Sequence, residues 1–235
     1  MNSSQPLVTA ANSLNEKAKF FYLLLASLFI TALVATNLVA NKFITLDLGF
    51  HTFVISAGVL PYPITFLITD ILSEIYGQRR ANQVVFVGFF ASAFVLLIVW
   101  LALILPASSN SPVGDAVFSE MFQSSWRVVA ASMLAYLIAQ FVDVRLFHFL
   151  KKLTNSKHLW IRNNGSTILS QFVDSTIVMM VFFIGVRPIE EIMSLAVDAW
   201  SYKIVVALVD TTFIYAAVAI IRSRLQLKPG EEVVI

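Results

Sequence analysis

Long apolar stretches alternate with short polar ones along this chain. Phe20–Val39, Phe53–Leu72, Ala81–Leu105, Val128–Leu150, Thr167–Val186 and Tyr202–Ile221 each run for about 20 residues or more with few charges. A hydrocarbon core about 30 Å thick takes about 20 helical residues to cross, so the pattern predicts an all-α membrane protein, a bundle of six transmembrane helices. The first stretch is too long, and too poor in a small-residue cleavage site, for a removable signal peptide, and is expected to stay in the chain. A β-barrel needs alternating polarity instead of continuous apolar runs. Pro61-Tyr62-Pro63 cannot continue regular helical hydrogen bonding and is expected to break or kink the first turns of the second span. Between the third and fourth spans, Ser108 to Gly114 is rich in turn residues. Val117, Phe118, Met121 and Phe122 then recur at helical spacing, predicting either a short helix along the membrane surface or a plain loop.

Composition agrees with the pattern. The 235 residues are 58% hydrophobic and 13% charged, with a mean hydropathy of +0.82, and a water-soluble fold would have to expose large apolar patches. The net charge of +2 and the absence of a basic block leave nucleic acid out as a partner; membrane lipid is the expected surroundings. Without cysteine there is no disulfide frame, thiolate metal site or thiol nucleophile. An even number of spans puts both termini on one side. That side carries 12 of the 16 Lys and Arg, including Lys17, Lys19, Arg79, Arg80, Arg145, Lys151, Arg162 and Arg222, whereas the other has Lys42, Arg127, Arg187 and Lys203. The asymmetry predicts cytoplasmic termini. The expected organisation is an N-terminal tail over 1–18, a membrane domain over 19–224 and a C-terminal tail over 225–235.

Ionisable groups inside spans cost roughly 2.5–3.5 kcal/mol each on insertion scales and so call for a reason. Asp70 lies late in the second span with Glu74 one turn on, Asp143 late in the fourth, Asp174 in the fifth, Lys203 and Asp210 in the sixth. Gln140-Phe141-Val142-Asp143 and Gln171-Phe172-Val173-Asp174 repeat one pattern, with amide and carboxylate three apart on one helix face. One reading is structural: the acids pair with Arg79, Arg80, Arg145 and Lys203 to lock helices together. The other is a binding site, for which Asp174 and Asp210, with no basic neighbour in sequence except Lys203, are the better candidates. Asn37 and Asn41 share a face beside Lys42 at the end of the first span, to cap it or to touch an entering solute.

Several chemistries find no support. The chain has no P-loop, no H-E-x-x-H and no G-x-S-x-G, and His51, His148 and His158 are far apart. Asp143 and Asp174 on adjacent spans suggest an aspartic-protease dyad, but Phe172-Val173 stands where glycines would let a peptide approach. No enzymatic activity and no cofactor are expected. Carboxylates, amides and aromatic rings within one bundle suit a small planar solute with several hydrogen-bond donors, such as a guanine-like heterocycle.

The stretch Pro63 to Gly77, Pro-Ile-Thr-Phe-Leu-Ile-Thr-Asp-Ile-Leu-Ser-Glu-Ile-Tyr-Gly, followed by Arg79 and Ala81, resembles the queuosine precursor transporter family within the vitamin-uptake-like transporters. Gly49-Phe50, Gln140…Asp143, Ser170-Gln171…Asp174-Ser175 and Tyr202-Lys203 extend the likeness. The resemblance implies a multi-pass bacterial inner-membrane importer of 7-cyano-7-deazaguanine or 7-aminomethyl-7-deazaguanine, salvaged for tRNA queuosine, with a fold similar to the substrate-binding subunits of energy-coupling-factor vitamin importers. It places Asn37, Lys42, Asp70, Glu74, Asp143, Gln171, Asp174 and Lys203 at motif positions, with Gln140 in a matching segment. The implied roles are that Gln171 and Asp174 read the heterocycle while Asp70 and Glu74, with Arg79, control the cytoplasmic exit. A substrate-capturing subunit that needs a separate ATP-driven partner is the alternative. Energy coupling, any energising partner and homo-oligomerisation are left open at this stage.

Overall fold

The structure is a computed structural model that describes residues 5–40, 42–47, 49, 52–122, 126–183, 185 and 187–233. Asn41, Phe50 and the side chains of Trp126 and Arg127 lie outside the described residues. Among the described residues, six α-helices carry the fold: α1 (Gln5–Val39), α2 (Tyr62–Ile104), α3 (Asp115–Phe122), α4 (Trp126–Leu153), α5 (Leu159–Phe183) and α6 (Ile189–Leu225). The fold is all-α apart from one hairpin between α1 and α2, in which β1 (Phe43–Asp47) pairs antiparallel with β2 (Thr52–Ser56). The expected second span therefore starts later than its apolar run, because Thr52 to Ile55 is β-branched and aromatic and finds a partner strand. A 3-10 turn, Ala57–Val59, leads on to the helix. Pro61 caps α2 and Pro63 sits in its first turn, where a missing N–H costs nothing; the prolines start this helix instead of kinking it.

At 43 residues, α2 would be about 65 Å long if straight, twice the bilayer core. It is broken at Gly77, whose φ of +79° and ψ of 170° leave the helix, a conformation L side chains rarely adopt. The chain reverses there. Before the break α2 descends along α1, with Gly58 against Thr36 and Ala40, and Tyr76 Oη donating 2.8 Å to the Ala18 carbonyl. After it, Gly88 packs on Phe29 and Leu33, back along the same helix. The limb before Gly77 is buried on nearly every face, whereas the limb after it exposes Phe86, Phe90, Phe94, Leu97 and Trp100, an apolar wall facing outward. The short α3 follows as one of the two expected alternatives, anchored by the Ala107 N–H donating 2.9 Å to Asp115.

Among the described residues, four helices are long and apolar enough to cross a membrane, within Leu14–Val39, Ala57–Ile104, Ser132–Leu153 and Ile189–Leu225. Of the other two, α3 is only 8 residues long and α5 carries Arg162, Asn163, Asn164, Ser166, Thr167, Ser170, Gln171, Asp174 and Ser175, all buried. Packed between α4 and α6, it turns those groups inward, where other helices shield them from lipid. α6 has Glu190 and Glu191 in its first turn and Arg222 and Arg224 in its last, each complementing the helix dipole. It ends at Gln226 in the left-handed region, and the tail then folds back: the Val233 N–H donates 2.7 Å to the Ile75 carbonyl beside the Gly77 break.

Candidate functional site

Three polar layers lie along α5. Nearest the hairpin is a narrow, partly open cleft with about 20 Å³ of free space between the start of α2, the middle of α5 and the first half of α6. Its apolar wall is Val59, Pro63, Phe66, Val206 and Ala207; its polar groups are Tyr62, Thr167, Gln171, Tyr202, Lys203 and Asp210. Asp174, one turn beyond Gln171, is held from both sides. Tyr62 Oη donates 2.9 Å to its Oδ1 and Lys203 Nζ donates 2.6 Å to its Oδ2. Lys203 Nζ also sits 5.1 Å from the centroid of the Tyr62 ring, so cation, ring and carboxylate form one unit. Tyr62 meets Phe66 edge to face at 5.4 Å, while Trp200 fixes the α5–α6 seam by donating 2.8 Å to the Ile168 carbonyl. Both amide ends of Gln171 are buried without a hydrogen-bond partner. A buried, unsatisfied amide costs about 1–3 kcal/mol, so these two groups are open to a water or a ligand in the cleft.

The middle layer is buried and acidic. Asp143 accepts 3.0 Å from Ser170 Oγ, and its carboxyl lies within hydrogen-bonding reach of Asp70. Both oxygens of Asp70 are buried with no donor. Gln140 is committed to α2, bonding Thr65 and Thr69 at 3.4 and 3.3 Å.

The third layer surrounds Glu74, one turn from Asp70 and next to the break. Arg162 from α5 approaches its Oε2 to 2.8 Å, Arg222 from α6 its Oε1 to 2.9 Å, and Lys151 from α4 its Oε2 to 3.5 Å. Lys151 is shared with Glu232 of the tail at 2.8 Å. Arg79 is exposed and Arg80 bonds Gln83, so the expected pairing of Glu74 with those two arginines is replaced by three cations from distant helices. Arg145 is likewise exposed, away from Asp143.

Of the residues singled out in the sequence, Gln171 and Lys203 line the cavity and Asp174 ties its polar groups together. Asp70 and Asp143 form the layer behind, Glu74 closes the far end, and Gln140 braces α2. Asn37 and Lys42, on the α1 end and the hairpin, are outside the cavity lining. Asp143 and Asp174 engage different partners, which removes the protease dyad. Asp210 joins the cavity wall. The sequence reading missed Tyr62 and Tyr202 as cavity groups; the flanking prolines, which fix a helix start beneath Tyr62, were the available signal.

Buried acids and a polar cleft, inside helices that are apolar on the outside, define a multi-pass membrane protein with a polar interior. The model of the family described as "Putative vitamin uptake transporter" matches residues 56–217, from β2 to α6, and the chain belongs to that family. It is 30% identical over 161 residues to a protein of Bacillus subtilis named "Probable queuosine precursor transporter", covering 68% of this chain and 70% of that one. It is 25% identical over 182 residues to the "Queuosine precursor transporter" of Escherichia coli, covering 69% and 70%. A Haemophilus influenzae protein named "Probable queuosine precursor transporter" is 26% identical over 157 residues, covering 67% and 59%. No solved structure matches.

Proposed function

We propose that this protein imports a queuosine precursor, 7-cyano-7-deazaguanine or 7-aminomethyl-7-deazaguanine, across the bacterial inner membrane for salvage into tRNA. The observation that carries this reading is the Gln171 amide, with both ends unpartnered on the wall of a cavity that also presents Tyr62 and Lys203. A deazaguanine offers an amide-like edge of donors and acceptors in one plane. The Gln171 side chain answers its carbonyl and ring N–H, the Asp174 carboxylate accepts from its amino groups once Lys203 or Tyr62 gives way, and the Tyr62 and Phe66 rings bound its face. The names of the bacterial relatives support the same substrate class.

In this reading α1, the two limbs of α2, α4, α5 and α6 are six crossings, with both termini cytoplasmic. The hairpin end with Lys42 and Lys203 then faces outward and the Glu74 layer faces the cytoplasm. Queuosine content of tRNA, in a strain unable to make the precursor and supplied with it at low concentration, is the test. The chain should restore queuosine, and Asp174→Asn should lower uptake by about tenfold or more while the protein remains folded in the membrane. Normal uptake by that variant removes Asp174 from the site. Uptake by the purified chain alone in liposomes marks a self-sufficient carrier; binding without transport marks a capturing subunit of the energy-coupling-factor type.

A further inference from the structure

The cavity explains recognition but leaves Asp70 and Asp143 without a task. They are fully buried, they neighbour each other, and neither forms an ion pair among the described residues. The charged groups facing Asp70 are Asp143 from α4, Arg162 from α5 and Glu74 from its own helix. Arg162 is spent on Glu74, and so are Arg222 of α6 and Lys151 of α4. The distribution is uneven: one acid holds three cations and the two acids above it hold none. Asp143 at least accepts from Ser170, whereas Asp70 accepts from nothing. Two neighbouring carboxylates in a buried interior cannot both stay charged at tolerable cost, and a single proton between them removes the repulsion and supplies the missing donor.

The pair is also joined to the substrate cavity. Thr167 lines that cavity and lies beside Asp143. Ser170, which donates to Asp143, precedes Gln171 on α5. A ligand that engages Gln171 and shifts α5 therefore acts on the donors that hold Asp143.

We propose that Asp70 and Asp143 form a proton-binding carboxyl pair that couples import of the heterocycle to the proton gradient. This rests on the transporter reading above. The step is simple in its balance: an O–H bond forms on one carboxylate oxygen when a proton enters from the cavity side, and the same bond breaks when the proton leaves toward the Glu74 layer. No electrons are exchanged, and a neutral precursor such as 7-cyano-7-deazaguanine crosses with one positive charge.

Purified protein in liposomes loaded with a pH-sensitive dye tests this, with 7-cyano-7-deazaguanine added outside. The expected result is acidification of the lumen on addition of precursor, and accumulation that rises when the outside is acidic and is indifferent to replacing Na⁺ by K⁺. Asp70→Asn and Asp143→Asn should each lose gradient-driven accumulation by about tenfold or more. A readout independent of transport is the infrared stretch of a protonated carboxyl, expected to titrate in the wild-type chain and to vanish in either variant. Ser170→Ala, a milder change that removes a donor to the charged form, should move the pH midpoint of the infrared band upward.

Accumulation without lumen acidification, or driven by Na⁺, overturns the coupling while leaving the precursor reading intact. Absence of the titrating carboxyl band overturns the proton pair whatever the transport result. A band that is present without any precursor uptake sustains the pair as a proton site and sinks the precursor reading instead.

Discussion

Gln171 and Glu74 lie on opposite sides of one question: whether a buried polar group serves the fold or the ligand. Gln171 has two partnerless amide ends, so the folded protein gains nothing from them. Gln171→Leu is expected to leave thermal stability unchanged or slightly raised, and to weaken precursor binding by about ten- to a hundredfold, the worth of one or two hydrogen bonds at about 1–1.5 kcal/mol each. Tryptophan fluorescence and a thermal melt read the two effects separately, and a large loss of stability would make Gln171 structural. Glu74 is the converse. Glu74→Gln strands Arg162, Arg222 and Lys151 around a neutral group, and removing one partner of a buried ion pair typically costs about 3–5 kcal/mol. The melting temperature and the yield of folded protein in mild detergent should both fall; an unchanged melt would show that those cations are solvated in the membrane. The sequence pointed to both residues but not to their difference. Local spacing offers Glu74 only Arg79 and Arg80, while Arg222 stands 148 residues away, a separation that periodicity does not bridge.

At the scale of elements, hydropathy located the helices well because burial in lipid rewards continuous apolar length. It misjudged the ends where another interaction competes. Phe53 to Ile55 is apolar enough to extend α2 backward, but a short apolar run does not distinguish strand from buried helix, and the partner strand decided. α5 shows the other side: the apolar run Thr167–Val186 marks it in the sequence, and its inward polar face, legible as Gln171 and Asp174 three apart, shows why it packs inside. The two limbs of α2 depend on Gly77. Gly77→Ala places a Cβ at a φ of +79° and into the Glu232 carboxylate, so a loss of about 1–3 kcal/mol is expected from strain at such a position. Combining it with Glu232→Ala should recover only the steric part. Full recovery in a denaturation series would mean that the break itself is not strained.

Across the whole molecule, the polar layers follow a gradient: a cavity with free hydrogen-bonding groups, then two bare acids, then an acid saturated with cations and tied to the tail. α2, α4, α5, α6 and residues 227–233 converge on that last layer, with Arg222 also donating to the Lys228 carbonyl. Unlocking it requires several elements to part together, so loosening any one cation should ease passage without altering recognition. Lys151→Met is expected to leave binding of 7-cyano-7-deazaguanine within about twofold and to change its rate of entry into liposomes; equal changes in both would place Lys151 in recognition.

The Val233 N–H bonded to the Ile75 carbonyl also bears on how the protein is handled. Residues 227–233 form a strap that braces the Gly77 bend, so an affinity handle or fluorescent fusion joined close after Val233 pulls on it. Purification and localisation handles belong at the amino end, ahead of α1, and a carboxyl-terminal fusion that proves inactive reports on its own attachment point before it reports on the transporter.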